Sequence, residues 1–420
     1  MVDKAASKYL EIYAEPEAKL LDNKLLSAPN IGNKKFERTL LIPAYAESTA
    51  YIQRILEQWG SQKQNQSQSQ NLLVIIVLNC PDNIEADKYR SAQESLNQTT
   101  KLLSEVQFTN EHISWRSAPQ SQIQFILVDR CTKNPIPHKQ GVGLARKIGA
   151  DIALKLHSIG IIESEWLHTT DADAHMPLEY FDISYAKCSA LYYPHQYLEE
   201  KTLDNTAQIY SATQIYDARN TAYQRGLKAA KSPYCYNPTG SLLVVNFSCY
   251  AAARGFPKRA GGEDFYLLNK LQKLKGVQAI EHPVVKLECR TSDRVPFGTG
   301  PAVSKLIDTN TPELEAIFYN PKCFEALKTG LAIIRVTHPK SWSDCKDIPS
   351  EFANALEHIG SAAITSHLSK AFEKSQSEYQ KHLDIWLDAF RTLKAMHFLR
   401  DNYFDNINYK EWQRLENNTE

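Results

Sequence analysis

The chain has 420 residues, with 48 Lys+Arg against 48 Asp+Glu, 43% hydrophobic and 23% charged residues. That composition excludes a disordered chain, a collagen-like repeat and a polybasic nucleic-acid binder, and it is enough for one large core plus an appendage or for two domains. With no net charge, an anionic ligand must be met by local basic residues rather than by a global field.

Residues 1–36 read as a polar helical segment centred on KYLEIYAEPEAKLL. The opening MVDKAASKYL lacks the apolar stretch of a secretory leader, and the longest apolar runs, 72–78 and 242–245, fall short of the roughly 18–20 residues that cross a bilayer. A cytoplasmic location follows as the expectation, with membrane contact at most peripheral. KFERTLLIPAYAES predicts a buried strand ending near Pro43, and YIQRILEQW (51–59) places Ile52, Ile55, Leu56 and Trp59 at helical spacing. The Gln/Ser-rich tract 61–71 reads as a surface loop. LLVIIVLNCPDN (72–83) is a second buried strand with a polar exit, and IQFILVDR (123–130) a third.

GVGLARKIGADIALKLH (141–157) predicts a helix with Leu144, Ile148, Ile152 and Leu156 four apart. EWLHTTDADAHMP (165–177) is a short strand running into an acidic loop, and SLLVVNFSCYAAA (241–253) a strand followed by a short helix. EDFYLLNKLQKLKG (263–276) is an amphipathic helix closed by Gly276. From about 301 the chain turns helical. SEYQKHLDIWLDAFRTLKAMHFLRDNYF is the clearest helix there, with Tyr379, Leu383, Trp386, Phe390 and Leu393 in one stripe, expected to dock on the α/β domain or on a second subunit, which leaves room for a homo-oligomer through these helices. The eight cysteines are scattered with no CxxC pair, as expected of reduced, buried thiols.

Alternating strands and helices predict an α/β domain with a mostly parallel sheet, whose ligands sit beyond the carboxyl ends of the strands. The polar groups after Pro43, Leu78, Val128 and Leu167 would converge there.

Two motifs carry chemistry. Asp171 and Asp173, at i and i+2 after an apolar segment, share a side if strand geometry persists, and two such oxygen donors suit Mg2+ or Mn2+. A solvated turn with a helix cap is the plain alternative, since chance supplies about one Asp-x-Asp in a chain of this composition. In Gly261-Gly262-Glu263-Asp264 the carboxylates open a helix, which capping explains. The glycine pair asks for close backbone approach or positive φ, and a carboxylate there can serve as a general base. Arg130, Lys133, Lys139, Arg146 and Lys147 fall in an acid-free stretch, either an ordinary solvated face or a counter-charge for phosphate.

Taken in order, LIPAYAES (41–48), LNCPDN (78–83), GVGLARKIGA (141–150), TTDADAHMP (169–177), NPTGSLLVVNFSCYAAARGFP (237–257) and GGEDF (261–265) resemble family 2 glycosyltransferases of the GT-A fold, over residues 37–300. The resemblance implies a Rossmann-like, mostly parallel central sheet flanked by helices. The helical segment 1–36 precedes it and a C-terminal helical extension, 301–420, follows.

It also implies a hexosyltransferase-like enzyme that moves a sugar from a nucleotide-diphosphate sugar to an acceptor hydroxyl, with inversion and with Mg2+ or Mn2+. Pro43, Ala44, Glu47, Asn79 and Asp82 would line the nucleoside site, and Arg146 and Asp171 would meet the nucleotide. Asp171 and Asp173 would hold the metal, and Gly240 and Ser241 would shape the sugar and acceptor pocket. Asp264 would be the catalytic base, with Glu263 beside it.

This chain departs from the family in three places. Asn79 stands where an acidic residue is usual, and Arg254 where a glycine is common before Gly-Phe. CRTSDR (289–294) lacks the His that often supplies a third metal ligand, leaving His175 and His282 as alternatives. Retaining transfer, nucleotidyl transfer and non-catalytic nucleotide-sugar binding remain alternatives. The second fits poorly, because PAYAES has neither the glycine nor the basic residue of that class's first loop.

Overall fold

The computed structural model describes residues 4–21, 31, 34–60, 71–185, 187–199, 204–236, 242–294, 298–309 and 311–417. The chain forms two units. Unit one comprises Met1–Leu198, Pro238–Glu288 and Asp293–Gly298, and unit two comprises Glu199–Asn237, Cys289–Ser292 and Thr299–Glu420.

The described strands of unit one are, in chain order, β1 (Arg38–Ala44), β2 (Leu72–Asn79), β3 (Glu105–Asn110), β4 (Ile113–Ser117), β5 (Gln124–Arg130) and β6 (Trp166–Thr169). They continue with β7 (Ala174–His175), β8 (Ala190–Tyr192), β9 (His195–Tyr197), β10 (Leu243–Asn246), β11 (Val277–Ala279) and β12 (Val285–Leu287). Nine of them build one sheet in the order β11-β8-β10-β6-β1-β2-β5-β4-β3. The central four, β6, β1, β2 and β5, run parallel, while β10 pairs antiparallel with β6 and β4 antiparallel with β5. A strand buried on both faces needs apolar residues throughout, and all eight residues of β2 are buried. Leu40, Ile42, Val74 and Ile76 share a core with Ile52, Ile55 and Trp59 of the helix Ala50–Trp59 and with Ala92 of the helix Ala86–Leu102. The opposite face, including Leu41, carries the helix Gly141–Ser158. β7, β12 and β9 form a second, small sheet beside the acidic loop.

The helices Lys4–Ile12 and Pro16–Lys19 lie on the helix Gly141–Ser158 through a buried polar network. Asp151, fully buried, accepts from the Tyr9 hydroxyl (2.6 Å), the Tyr250 hydroxyl (2.7 Å) and the Glu15 amide (2.8 Å), and pairs with Lys147 Nζ at 2.9 Å. Burial pushes the Asp151 carboxyl up, and Lys147 and its hydrogen-bond donors oppose that push. Nearby, the buried Arg130 pairs with Glu17, which also meets His112 Nε2 at 3.3 Å. Two members of the expected basic cluster, Arg130 and Lys147, are thus held in buried ion pairs with acids inside unit one. Lys133 donates to the Glu111 carbonyl (2.8 Å), and Lys139 is exposed.

In unit two the helices Pro321–Ile334, Ser350–His358, Ser361–Lys374 and Ala389–Asn402 surround a core that includes Leu327, Trp342, Phe352, Tyr379, Leu383, Trp386 and Met396. The single long tail helix expected from sequence is two helices, Gln376–Trp386 and Ala389–Asn402. Leu387 leaves helical geometry, and the Asp388 carboxylate caps the second helix by accepting the Arg391 N–H at 3.1 Å. The aromatic stripe breaks there. Tyr379, Leu383 and Trp386 fill this unit's own core, while Phe390 and Leu393 are half-buried. All eight cysteines are free thiols. No described helix is long and apolar enough to cross a membrane.

Candidate functional site

Parallel neighbours bring the carboxyl ends of β6, β1, β2 and β5 side by side, and the residues that leave those ends form the site. β6 is anchored by His168, which is fully buried and pushed down to about 3 by that burial, with Arg38 adding to the effect. The neutral ring donates from Nδ1 to the Tyr193 oxygen (3.0 Å), because the Tyr193 hydroxyl itself donates to the Tyr180 carbonyl, and Nε2 accepts from Tyr185 (3.1 Å).

Three residues beyond His168 the chain turns. Asp171 and Asp173 flank Ala172, and the Ala174 N–H closes the turn on the Asp171 carbonyl at 3.2 Å. Asp171 Oδ1 accepts from Arg146 Nη2 at 2.6 Å, and the other terminal nitrogen of Arg146 pairs with Glu263. Arg146 is 3% exposed, so one buried guanidinium joins the acidic turn to the Gly-Gly-Glu-Asp motif. Asp264, 6% exposed, accepts the Phe265 N–H at Oδ1 (2.7 Å). Burial pushes its carboxyl above the ordinary value, Arg146 and the Phe265 N–H oppose the shift, and the charge of Asp171 adds to it.

The glycines of both motifs have structural work. Gly262 caps the helix Glu263–Gln272 at φ +70°, a left-handed conformation that side chains disfavour. Gly143 donates to the Arg259 carbonyl at 2.9 Å, and a Cβ there would stand 2.4 to 2.7 Å from backbone atoms of Pro257 and Arg259. The loop that delivers Glu263 and Asp264 therefore rests on a bare helix start. Gly143→Ala is expected to cost about 1–3 kcal/mol through overpacking, read as a lower urea midpoint; an unchanged midpoint would show that the loop yields freely. Arg254 stands at φ +62°, a left-handed conformation that side chains disfavour.

The candidates for the nucleoside side lie at or just beyond the ends of β1 and β2. Pro43 and Ala44 are buried strand residues. Asn79, with its amide oriented to satisfy both polar atoms, donates to the Ala44 and Val77 carbonyls (both 3.2 Å) and so ties the ends of the two strands. Asp82 accepts from the His138 N–H (3.0 Å) and lies 3.2 Å from its Nδ1. The His138 backbone N–H, with help from the ring, holds this exposed carboxyl below its usual range against the opposing effect of desolvation. Glu47 pairs with Arg294, and its carbonyl accepts the Ser95 hydroxyl (2.6 Å). Gly240 and Ser241 lie outside the described residues.

Of the two alternative histidines, His282 is exposed in the turn between β11 and β12, whereas His175 Nε2 is 2.8 Å from Glu288 Oε1. Sequence reasoning missed Glu288, Arg54 and the Arg294–Glu47 pair, because each acts across more than a hundred residues of chain.

Among the described residues no group of three His, Cys, Asp or Glu side chains could hold a metal ion by itself. Hard carboxylate oxygens two residues apart do suit Mg2+ or Mn2+, and Mg2+ commonly takes one or two carboxylates with substrate phosphates filling other positions. The strand ends at Thr169, so the alternation expected to put Asp171 and Asp173 on one side does not carry into their turn; the two match such a site by residue type.

No family model matches the chain, and no curated protein matches it. Among solved structures, the mannosyltransferase PcManGT from Pyrobaculum calidifontis in complex with GDP-Man and Mn2+ aligns at 12% identity and a TM-score of 0.34, covering 91% of this chain and 97% of that one.

Proposed function

We propose that unit one is a divalent-cation-dependent glycosyltransferase that moves a sugar from a nucleotide-diphosphate sugar to an acceptor hydroxyl, with inversion. The observation that carries this reading is the shared guanidinium of Arg146. It links a two-carboxylate turn to a helix start whose Asp264 is buried and raised in proton affinity. Asp264 takes the acceptor's proton. Its Oδ1 is held by the Phe265 N–H, so Oδ2 is the oxygen assigned to that proton. Glu263 fixes Arg146, and Arg146 in turn fixes Asp171. Asp171 and Asp173 would hold Mg2+ or Mn2+, which when bound offsets charge on a departing diphosphate. Pro43, Ala44, Glu47, Asn79 and Asp82 are assigned to the nucleoside side, and Gly240 and Ser241 to the sugar and acceptor side.

A thermal-shift screen of nucleotide sugars with and without Mn2+ tests this. One nucleotide class is expected to raise the melting temperature only when Mn2+ is present, with stabilisation of about 2.7 kcal/mol at a hundredfold excess over Kd. A screen in which no nucleotide sugar shifts the melting temperature with either Mg2+ or Mn2+ sinks the reading.

A further inference from the structure

The helix Ala50–Trp59 presents Ile52, Ile55 and Trp59 to the core, and that apolar face accounts for its packing. It does not account for Arg54. The Arg54 guanidinium donates to the Ala172 carbonyl at 2.9 Å, the one residue between Asp171 and Asp173, and reaches Glu288 Oε1 at 3.2 Å. The same Glu288 oxygen lies 2.8 Å from His175 Nε2, and the Glu288 N–H donates to the Asp173 carbonyl at 3.1 Å. Ala174 and His175 pair with Leu287 and Lys286 in the small sheet. Three successive carbonyls, of Asp171, Ala172 and Asp173, are therefore tied by Ala174, Arg54 and Glu288.

Resting on the glycosyltransferase reading, we propose that Arg54 is a positioning residue for the acidic turn, clamping it through Ala172 and Glu288 so that both aspartates face a cation together. Two neighbouring carboxylates repel, and a backbone that already holds them together lowers the cost that a cation meets in gathering them. Arg54 supplies positive charge at the turn through a backbone oxygen, so its contact to the turn takes up no aspartate oxygen. The partners that orient metal ligands usually matter to metal affinity nearly as much as the ligands do.

Two measurements on the full chain separate the clamp from the parent reading. The first is amide hydrogen exchange of Ala174 and Glu288 in protein without metal. Arg54→Ala is expected to speed exchange at both and Arg54→Lys much less. Unchanged rates in Arg54→Ala overturn the clamp whatever the protein's activity.

The second is uptake of Mn2+, with UDP or GDP present, followed by the electron paramagnetic resonance of free Mn2+. Arg54→Ala is expected to weaken uptake by about 10–100-fold, with Arg54→Lys recovering most of it. Equal uptake by wild type and Arg54→Ala overturns the positioning role and leaves the glycosyltransferase reading standing. No uptake by the wild type sinks the metal reading and the positioning role with it, and the exchange arm then decides the clamp alone. Should Arg54→Ala fail to fold, Glu288→Gln removes the charge at the other end of the clamp and is expected to shift both measurements in the same direction.

Discussion

Asp264→Asn is expected to lower sugar transfer by about 10²–10⁴-fold, the usual contribution of a positioned general base, while nucleotide binding in the presence of Mn2+ stays close to wild type. The split follows from position. The Asp264 carboxylate takes its hydrogen bond from its own helix start at Phe265 and feels Arg146 through charge, whereas the cation turn and Arg146 are held by Glu263 and by the turn's own hydrogen bonds. Asparagine keeps the acceptor oxygen for the Phe265 N–H and loses only the proton-accepting charge.

The pH dependence has a definite sign. Because the folded carboxyl is raised above 3.8, transfer by the wild type should fall on acidification at a higher pH than an ordinary aspartate would give. The residual activity of Asp264→Asn should lack that limb. A carboxyl raised on folding contributes stability below its unfolded pKa and loses it as pH rises through the folded value. At pH 7 the variant is therefore expected to melt no lower than wild type. Normal turnover by Asp264→Asn would remove the assigned base.

Asp151→Ala is the substitution with the largest expected cost in stability. It leaves the buried Lys147 ammonium, two tyrosine hydroxyls and the Glu15 N–H without their shared acceptor. Breaking one partner of a buried pair costs about 3–5 kcal/mol, a large share of the roughly 5–15 kcal/mol that holds a typical domain together. Urea unfolding reads it directly. Lys147→Met combined with Asp151→Leu should recover part of the loss, because the charge is then gone from both sides while the two hydroxyls keep only their 3.4 Å contact with each other and the Glu15 N–H loses its acceptor. A loss below about 1 kcal/mol for Asp151→Ala would place the network among ordinary surface pairs.

The strands and the acidic motifs were legible in the sequence because each is announced locally. LLVIIVLN can only be a strand buried on both faces, and the four-residue spacing of Leu144 to Leu156 gave its helix to within a residue at either end. The hairpin of β3 and β4 was not legible, since EVQFTN has no clean alternation and its pairing comes from its neighbour. The tail helix was read as continuous because its heptad-like stripe runs through Leu387, where only the cap at Asp388 marks the break. At the site, residue types were visible but their partners were not. Arg146 stands between two acids, Arg130 pairs with Glu17, and Lys147 faces Glu15 and the Asp151 of its own helix. Glu17 and Glu15 carry no local sign that they belong to such pairs. Ion pairs across a hundred residues leave no periodicity to read.

The helix Asp204–Ala229 belongs to unit two although the chain returns to unit one after it. Its buried Ile215 and Leu227 share cores with residues beyond 300, Ala316 and Phe318 around the first and Cys323 and Leu327 around the second. During synthesis this helix therefore leaves the ribosome before those partners do, and its apolar residues stay uncovered by them until the residues beyond 300 follow. Anyone wishing to express the sheet-bearing part alone should excise residues 199–237 as well as the tail, since a simple C-terminal truncation strands an orphan that invites aggregation.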